Sequence, residues 1–508
     1  MAGLYKHNTQ MKTKRDSIYP KNMLFKGMVM MLLALCSTFV KAQVSVGDSL
    51  ALVEIYNQTN GAAWNSKTNW LTGKVSTWEG VTLTGGRVSE LALPANNLSG
   101  ALSYHIGFLQ ELQSLNLSSN NLQGTLPVAF VFLQKLKVLN LSENKFTGAI
   151  PSFTGLLTSL TDLNLSKNQL SGAIPQTIVL LCKLKALNLS DNALTGSLPS
   201  QIGLLASLQG LYVSNNKLQG AVPVSIGKLK KATNIYLDNN KLSGALPTSL
   251  GDADSLVFFN AANNNLTGAV PQTLTKLKRL YLFNVSGNDI VDLPNLSGIT
   301  SLFQLVVADN KLTFADIQPS IGRMLPGSYI PQDSVGTSST VAACAGSSVV
   351  LHGDVIESDA NNRYTWFAVD GSFVSEESAS PNLVLNGVTA ANSNRYSVAI
   401  SNANVPDLYL FRKTIKLTVN ACASGGAGAK SATSVYPVPF ETTTTVLVAT
   451  PTTEALHIAV RNESGVVVEQ LDTNTNLETK VGGSLKKGTY YVESVHGTSK
   501  EVTRVVKK

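Results

Sequence analysis

Leucines recur in a fixed rhythm along residues 91–322. In Leu115-Asn-Leu117-Ser-Ser-Asn120-Asn-Leu122-Gln-Gly124-Thr-Leu126-Pro127, apolar and polar positions alternate, and an asparagine, a glycine and a proline punctuate them. The order returns as Leu139-Asn-Leu141-Ser-Glu-Asn144-Lys-Phe146-Thr-Gly148-Ala-Ile150-Pro151. Ten asparagines anchor the pattern, Asn96 to Asn310, at eight intervals of 24 and a last one of 22. Alternation with period two predicts a short strand whose leucines face one way. The asparagine suits the turn after it, where an amide can satisfy backbone groups that would otherwise be buried unpaired. Glycine permits the next bend, and proline ends any helix. One such unit cannot bury its leucines alone, so neighbours must stack into a solenoid. At about 4.8 Å per stacked strand, ten units span roughly 45 Å.

The L-x-x-L-x-L-x-x-N spacing, with L-x-G-x-[IVL]-P after it, resembles the plant-type leucine-rich-repeat subclass. The resemblance implies a solenoid of strands backed by an irregular or 3-10 convex side. Two units depart from the template: Leu102-Ser103 lacks the proline, and Asp292 replaces a glycine. Residues 43–90, with Trp64, Trp70 and Trp78, resemble the N-terminal cap of plant-type arrays without its usual cysteines. Aromatic packing is therefore expected to hold the cap.

After a linker expected at 323–335, residues 336–422 read as short β-branched and aromatic runs between turns, the mark of a β-sandwich. Trp366 and Tyr396 resemble the core tryptophan and the tyrosine corner of an immunoglobulin-like domain, with Val398 where a cysteine is usual. A glycine-rich linker is expected over 423–434. Residues 435–508 carry Tyr436-Pro-Val-Pro439, an L-x-x-G-x-Y run from Leu485 to Tyr490, and a basic last strand. This resembles the C-terminal sorting domain of the type IX (Por) secretion system. The resemblance implies a small β-sandwich, passage across the outer membrane, and release or lipopolysaccharide anchoring at the cell surface.

Composition narrows the class. Apolar residues make up 44% and charged ones 14%, which excludes a disordered polyelectrolyte. The net charge of +8 suggests nucleic acid until it is located. Residues 1–42 hold seven Lys or Arg against one Asp, leaving only +2 for the rest. That segment, with an apolar run from Gly27 to Val40, reads as a secretory signal peptide, with Met1 or Met23 as start. No nucleic-acid partner and no membrane span beyond it are expected. Export permits disulfides, and Cys344 and Cys422 flank the sandwich and could pair. Cys182, between leucines, reads as a small buried hydrophobe.

No catalytic motif, metal-ligand spacing or phosphate-binding glycine loop occurs, so an enzyme, a metal or a cofactor is not expected. Binding then falls to the solenoid's concave face. Its first half is small and polar, with Asn116, Asn140, Asn164 and Asn188 between the strand leucines. Its second half gathers Tyr212, Tyr236, Phe258, Tyr281, Leu282, Phe303 and Val306, the candidate protein-binding surface. The assembly resembles internalin-like bacterial proteins, which implies adhesion through a protein or glycan ligand on host or bacterial surfaces, and biofilm formation. A structural envelope or matrix component without a discrete ligand is the alternative.

Overall fold

The computed structural model describes residues 44–508 apart from 354–358, 371–373, 422–431, 437, 439, 441 and 451–452. The expected signal peptide, Cys422 and most of the 423–434 linker lie outside the described residues.

The cap consists of helix α1 (Val46–Gln58) and a hairpin of β1 (Val81–Thr84) and β2 (Arg87–Ala92). Trp64, Trp70 and Trp78 are buried and make ring contacts with one another and Tyr56 at 4.8–5.9 Å. Each indole N–H donates to a backbone carbonyl, of Thr59, Glu79 and Thr72 respectively. Asp48, fully buried, accepts from the Arg87 guanidinium at 2.8 Å and from the Val88 N–H at 2.7 Å. These donors offset the cost of desolvating its charge and tie α1 to the hairpin.

β2 opens a sheet of ten parallel strands. The others are β3 (Ser114–Asn116), β4 (Val138–Asn140), β5 (Asp162–Asn164), β6 (Ala186–Asn188), β7 (Gly210–Tyr212), β8 (Asn234–Tyr236), β9 (Phe258–Asn260), β10 (Leu282–Asn284) and β11 (Gln304–Val306). Leucine meets leucine across adjacent rungs, as Leu115 does Leu139 and Leu163 does Leu187, and all are buried. Burying each is worth roughly 2 kcal/mol. Short 3-10 turns such as Val128–Phe132 close the opposite side. Gly124, Gly148 and Gly172 adopt φ of +73° to +82°, a conformation open to glycine at little cost. Where Asp292 stands instead, the side ladder slips, and Ala269 pairs with Asp292 past Val291. Where the proline is missing, Ser103 caps its 3-10 turn by accepting from the His105 N–H.

The asparagines form a ladder linking each rung to the one before. Asn120 Nδ2 donates to the carbonyls of Leu93, Leu117 and Ser118, and its Oδ1 accepts from Leu98 N. The pattern repeats to Asn310, whose Oδ1 accepts from Ile290 N.

Two expectations are corrected. Residues 323–335 are no free linker. Ser328 O accepts from Val307 N, and Gln332 takes the place of the ladder asparagine. Gln332 Oε1 accepts from Leu312 N while its Nε2 donates to Val307 O and Tyr329 O. The last strand is thereby sealed. Cys182 is exposed and free, because Leu181 and Leu184 take the inward positions of that turn.

The following region has one sheet of β12 (Ser339–Cys344), β18 (Ile415–Asn420), β16 (Arg395–Asn402) and β14 (Asn362–Ala368), with β17 (Val405–Phe411) also on β16. β13 (Val349–His352) and β15 (Asn382–Leu385) form the other. Trp366 and Tyr396 are buried, and the Tyr396 hydroxyl donates to Asn392 O at 2.9 Å. Cys344 is disulfide-bonded. Tyr329 and Val335 join this region to the array: the Tyr329 hydroxyl donates to Pro406 O, and Val335 bonds Phe411 and Lys413 backbone groups. One apolar core runs through cap, array and sandwich.

The C-terminal region has its own core around Phe440, Ile458, Tyr490 and Val505. Its sheets are β19 (Ala432–Tyr436), β20 (Thr444–Ala449) and β23 (Thr479–Val481), and β22 (Val467–Asn474), β21 (Ala455–Asn462), β24 (Gly488–His496) and β25 (Ser499–Lys507). Lys507 Nζ donates to Thr442 O and Gly482 O and lies 5.6 Å from the Phe440 ring centroid, fastening β25 to the segments before β20 and after β23.

Candidate functional site

The seven candidate residues lie on or just before β7 to β11, and six of them form two clusters. Tyr212 and Tyr236, third in their strands, pair in register with rings stacked at 5.5 Å and 21°. Phe258 and Leu282, first in theirs, pair in register as well. Tyr281 precedes β10, meeting Phe258 edge-on at 5.8 Å and stacking on Phe303 at 5.4 Å. Val306 faces Asn284 in register and belongs to neither ring cluster. Sequence spacing groups these residues by rung. The strand position, which differs between the clusters, separates them. Tyr281 and Phe303 are 41% and 58% exposed, so the sandwich does not cover them.

The tyrosine pair replaces a working part of the template. In the six strands β3 to β6, β9 and β10 the third position holds Asn116, Asn140, Asn164, Asn188, Asn260 or Asn284, each accepting from the N–H two residues on, while the end strands have Ala92 and Val306 in that register. Such a bond stabilises the turn after the strand, by about 1 kcal/mol. Tyr212 and Tyr236 forgo it. Instead the Ser214 hydroxyl donates to Asp238 Oδ1 at 2.7 Å. Tyr212 further requires its neighbour to be glycine, since a Cβ on Gly210 would lie 2.5 Å from the Tyr212 ring. The ring thus folds back over its own strand. Burial there pushes the Tyr212 hydroxyl pKa up, and the Tyr236 hydroxyl adds to the shift. Gly210 is a site residue that sequence reading missed. Its signal was the loss of any side chain at the strand's first position, one residue pair before the first tyrosine.

Among the described residues, no group of His, Cys, Asp and Glu is placed to hold a metal ion, and no helix is long and apolar enough to cross a membrane.

Comparison with known proteins agrees with both main regions. Residues 87–148 and 182–242 match a leucine rich repeat family, residues 159–181 match another, and residues 434–508 match the secretion system C-terminal sorting domain. The chain carries leucine-rich repeats and a type IX sorting domain. The sorting domain marks the protein for export to the cell surface or the extracellular space. No significant match is found among curated proteins. Among solved structures, the repeat array is similar to the ectodomain of the Arabidopsis thaliana receptor kinase GASSHO1/SCHENGEN3 in complex with CASPARIAN STRIP INTEGRITY FACTOR 2. Identity is 30% and the TM-score 0.52, over 58% of this chain and 36% of that one. The Arabidopsis HAESA ectodomain with an IDA peptide hormone follows at 26% and 0.48, over 58% and 50% of the two chains. A plant ice-binding protein is similar at 27% and 0.42, over 53% and 96%. The array therefore shares its fold with the GASSHO1/SCHENGEN3 ectodomain, and the chain covers about a third of that one's length.

Proposed function

We propose that the protein is a non-enzymatic, exported binding protein whose array captures a protein ligand with the concave strands β7 to β11. The observation that carries this reading is the exchange of two turn-stabilising asparagines for a stacked tyrosine pair, with Gly210 opened beneath it. A repeat array drifting without function has no reason to give up those bonds. Exposed rings on a rigid sheet are also the side chains that dominate protein interfaces. The similar receptor ectodomain, in complex with an integrity factor, supports a protein as ligand. With surface export, the reading extends to an adhesin of internalin type that attaches to host cells or other bacteria and promotes biofilm. The sandwich acts as an immunoglobulin-like spacer, closed by a Cys344–Cys422 disulfide.

Replacing Tyr212 and Tyr236 with asparagine restores the turn bonds of the other repeats. Saturable binding of the secreted protein to host or bacterial cells should then be lost while the thermal midpoint holds or rises. Unchanged binding would overturn the site. Absence of any saturable binding by the wild-type protein would favour an envelope or matrix component.

A further inference from the structure

The sandwich holds a cavity that lies apart from the concave face. In β14, β16 and β17 the residues Tyr364, Ile400, Leu408 and Leu410 turn into the core, so the alternate positions face outward. There Arg363, Ser401 and Tyr409 stand opposite one another in a single register row. The hairpin that joins β16 to β17 is uneven. Ser401 pairs with Tyr409 and Asn402 with Val405, which leaves Pro406, Asp407 and Leu408 without counterparts. Bulges of this kind re-aim side chains and recur beside functional sites. Two backbone bonds between Ser378 and Tyr364 bring Glu377 to the same place. Row, bulge and Glu377 line a cavity of about 360 Å³, within the range of small-ligand sites.

The walls are fixed by the protein itself. Asn402 is buried, and its Nδ2 donates to Asp359 Oδ2 at 3.1 Å and to Asn362 Oδ1 at 2.8 Å. Its Oδ1 accepts from the Asn404 N–H at 2.8 Å. Within the bulge, Pro406 O accepts from the Tyr329 hydroxyl at 2.7 Å, so the seal of the array also braces the cavity. Walls ordered in advance spare a ligand the cost of ordering them. The lining groups, in contrast, are unspent. Arg363 uses its Nη1 on the Ala360 and Asn362 carbonyls. Its Nε and Nη2, the carboxylates of Glu377 and Asp407, and the hydroxyls of Ser401 and Tyr409 make no hydrogen bond among the described residues. The guanidinium and the carboxylates share one cavity, yet among the described residues they form no ion pair.

We propose that this cavity binds a short neutral saccharide. Donors and acceptors stand side by side in it, and a sugar hydroxyl is both at once. The Tyr409 ring, 55% exposed, offers a flat apolar surface to the C–H face of a pyranose. Arg363 donates to the sugar hydroxyls, and Glu377 and Asp407 accept from them. Two carboxylates against one guanidinium disfavour an anion, and the guanidinium disfavours a metal cation. Asp407 adopts φ +64°, where glycine is less strained, so its carboxylate stands here against the local backbone preference.

A printed panel of neutral host glycans and neutral bacterial polysaccharide fragments, with sialylated and sulfated glycans beside them, tests this on the secreted protein. Neutral glycans should be retained, and the subset retained identifies host or bacterium as the source. Tyr409→Ala and Asp407→Gly should each weaken retention about tenfold or more. Tyr409→Phe keeps the ring and should lose less. Asp407→Gly should meanwhile hold or raise the thermal midpoint, because it relieves the backbone, whereas loss of a purely structural residue would lower it. Lys416→Ala, on the exposed side of β18 and outside the lining, should leave retention unchanged. Failure to retain any neutral glycan would overturn the proposal. So would retention of the anionic glycans alone, or neutral binding that survives both Tyr409→Ala and Asp407→Gly.

Discussion

The two halves of the array share one interior and have opposite surfaces. From β3 to β6 the concave strands carry a run of asparagines, while exposed Phe108, Phe132, Leu156, Leu180 and Leu204 recur on the 3-10 side. From β7 to β11 the concave strands carry aromatic rings, and Lys228, Asp252 and Lys276 take that apolar position on the 3-10 side. The buried apolar positions and the asparagine ladder run through both halves, with Ile235, Phe259 and Phe283 in place of strand leucines in the second. The template therefore fixes the fold through its inward positions and leaves the outward positions to vary, one face at a time.

If the interior is common, its anchors should be equivalent. Asn144→Ala and Asn240→Ala each strip a backbone N–H and three carbonyls of their partner. Each should lower stability by about 3 kcal/mol in denaturant unfolding, and a clear inequality would break the equivalence. A contrast with the sandwich comes next. The array's ladder buries neutral amides, whereas burial pushes His352 below its usual 6.5 to about 4, against the opposing Asn382 hydrogen bond and Glu478 charge. The unfolded chain takes up that proton from 6.5 downward and the folded one only near 4. Acidification across this window should cost the sandwich up to about 3 kcal/mol, all of it recovered above 6.5. Hydrogen exchange of β16 amides at both ends of the window measures it, and His352→Phe should flatten the slope.

A matched pair of substitutions separates surface from interior. Gly210→Val and Ala186→Val enlarge the same position in neighbouring rungs. Both should cost about 1 kcal/mol or less, yet only Gly210→Val should abolish ligand binding, by displacing the Tyr212 ring. The smallest effect belongs to the charged turns. Lys276→Ala removes an exposed ion pair with Asp252 and should shift stability by under about 0.5 kcal/mol, less still in high salt.

The solenoid was legible because its determinants are periodic and identical in type: leucine inward, asparagine in the turn, glycine at the bend. Gln332 escaped because the ladder there changes residue while keeping the geometry, and its signal is a second interval of 22 after Asn310. Residues 323–335 read as a linker on Pro326, Gly327 and Pro331, although the open edge of β11 demanded a partner for its backbone. Cys182 was misjudged from its neighbours alone, since a turn with period near three leaves two residues outward for each one inward. The division of the aromatic face into two clusters follows from position along each strand, which the repeat interval does not encode. The exposed apolar row on the 3-10 side lay outside the strand motif altogether, and the 24-residue interval reveals it only when every position of the unit is followed.

The ladder has one more consequence. Each asparagine reaches back a single rung, and the two seals, the tryptophan cluster and Gln332, touch only the outermost rungs. Excising or duplicating one whole unit would leave every remaining amide with the partners it needs. The gene can thus lengthen or shorten its product in steps of a single turn without redesigning either end.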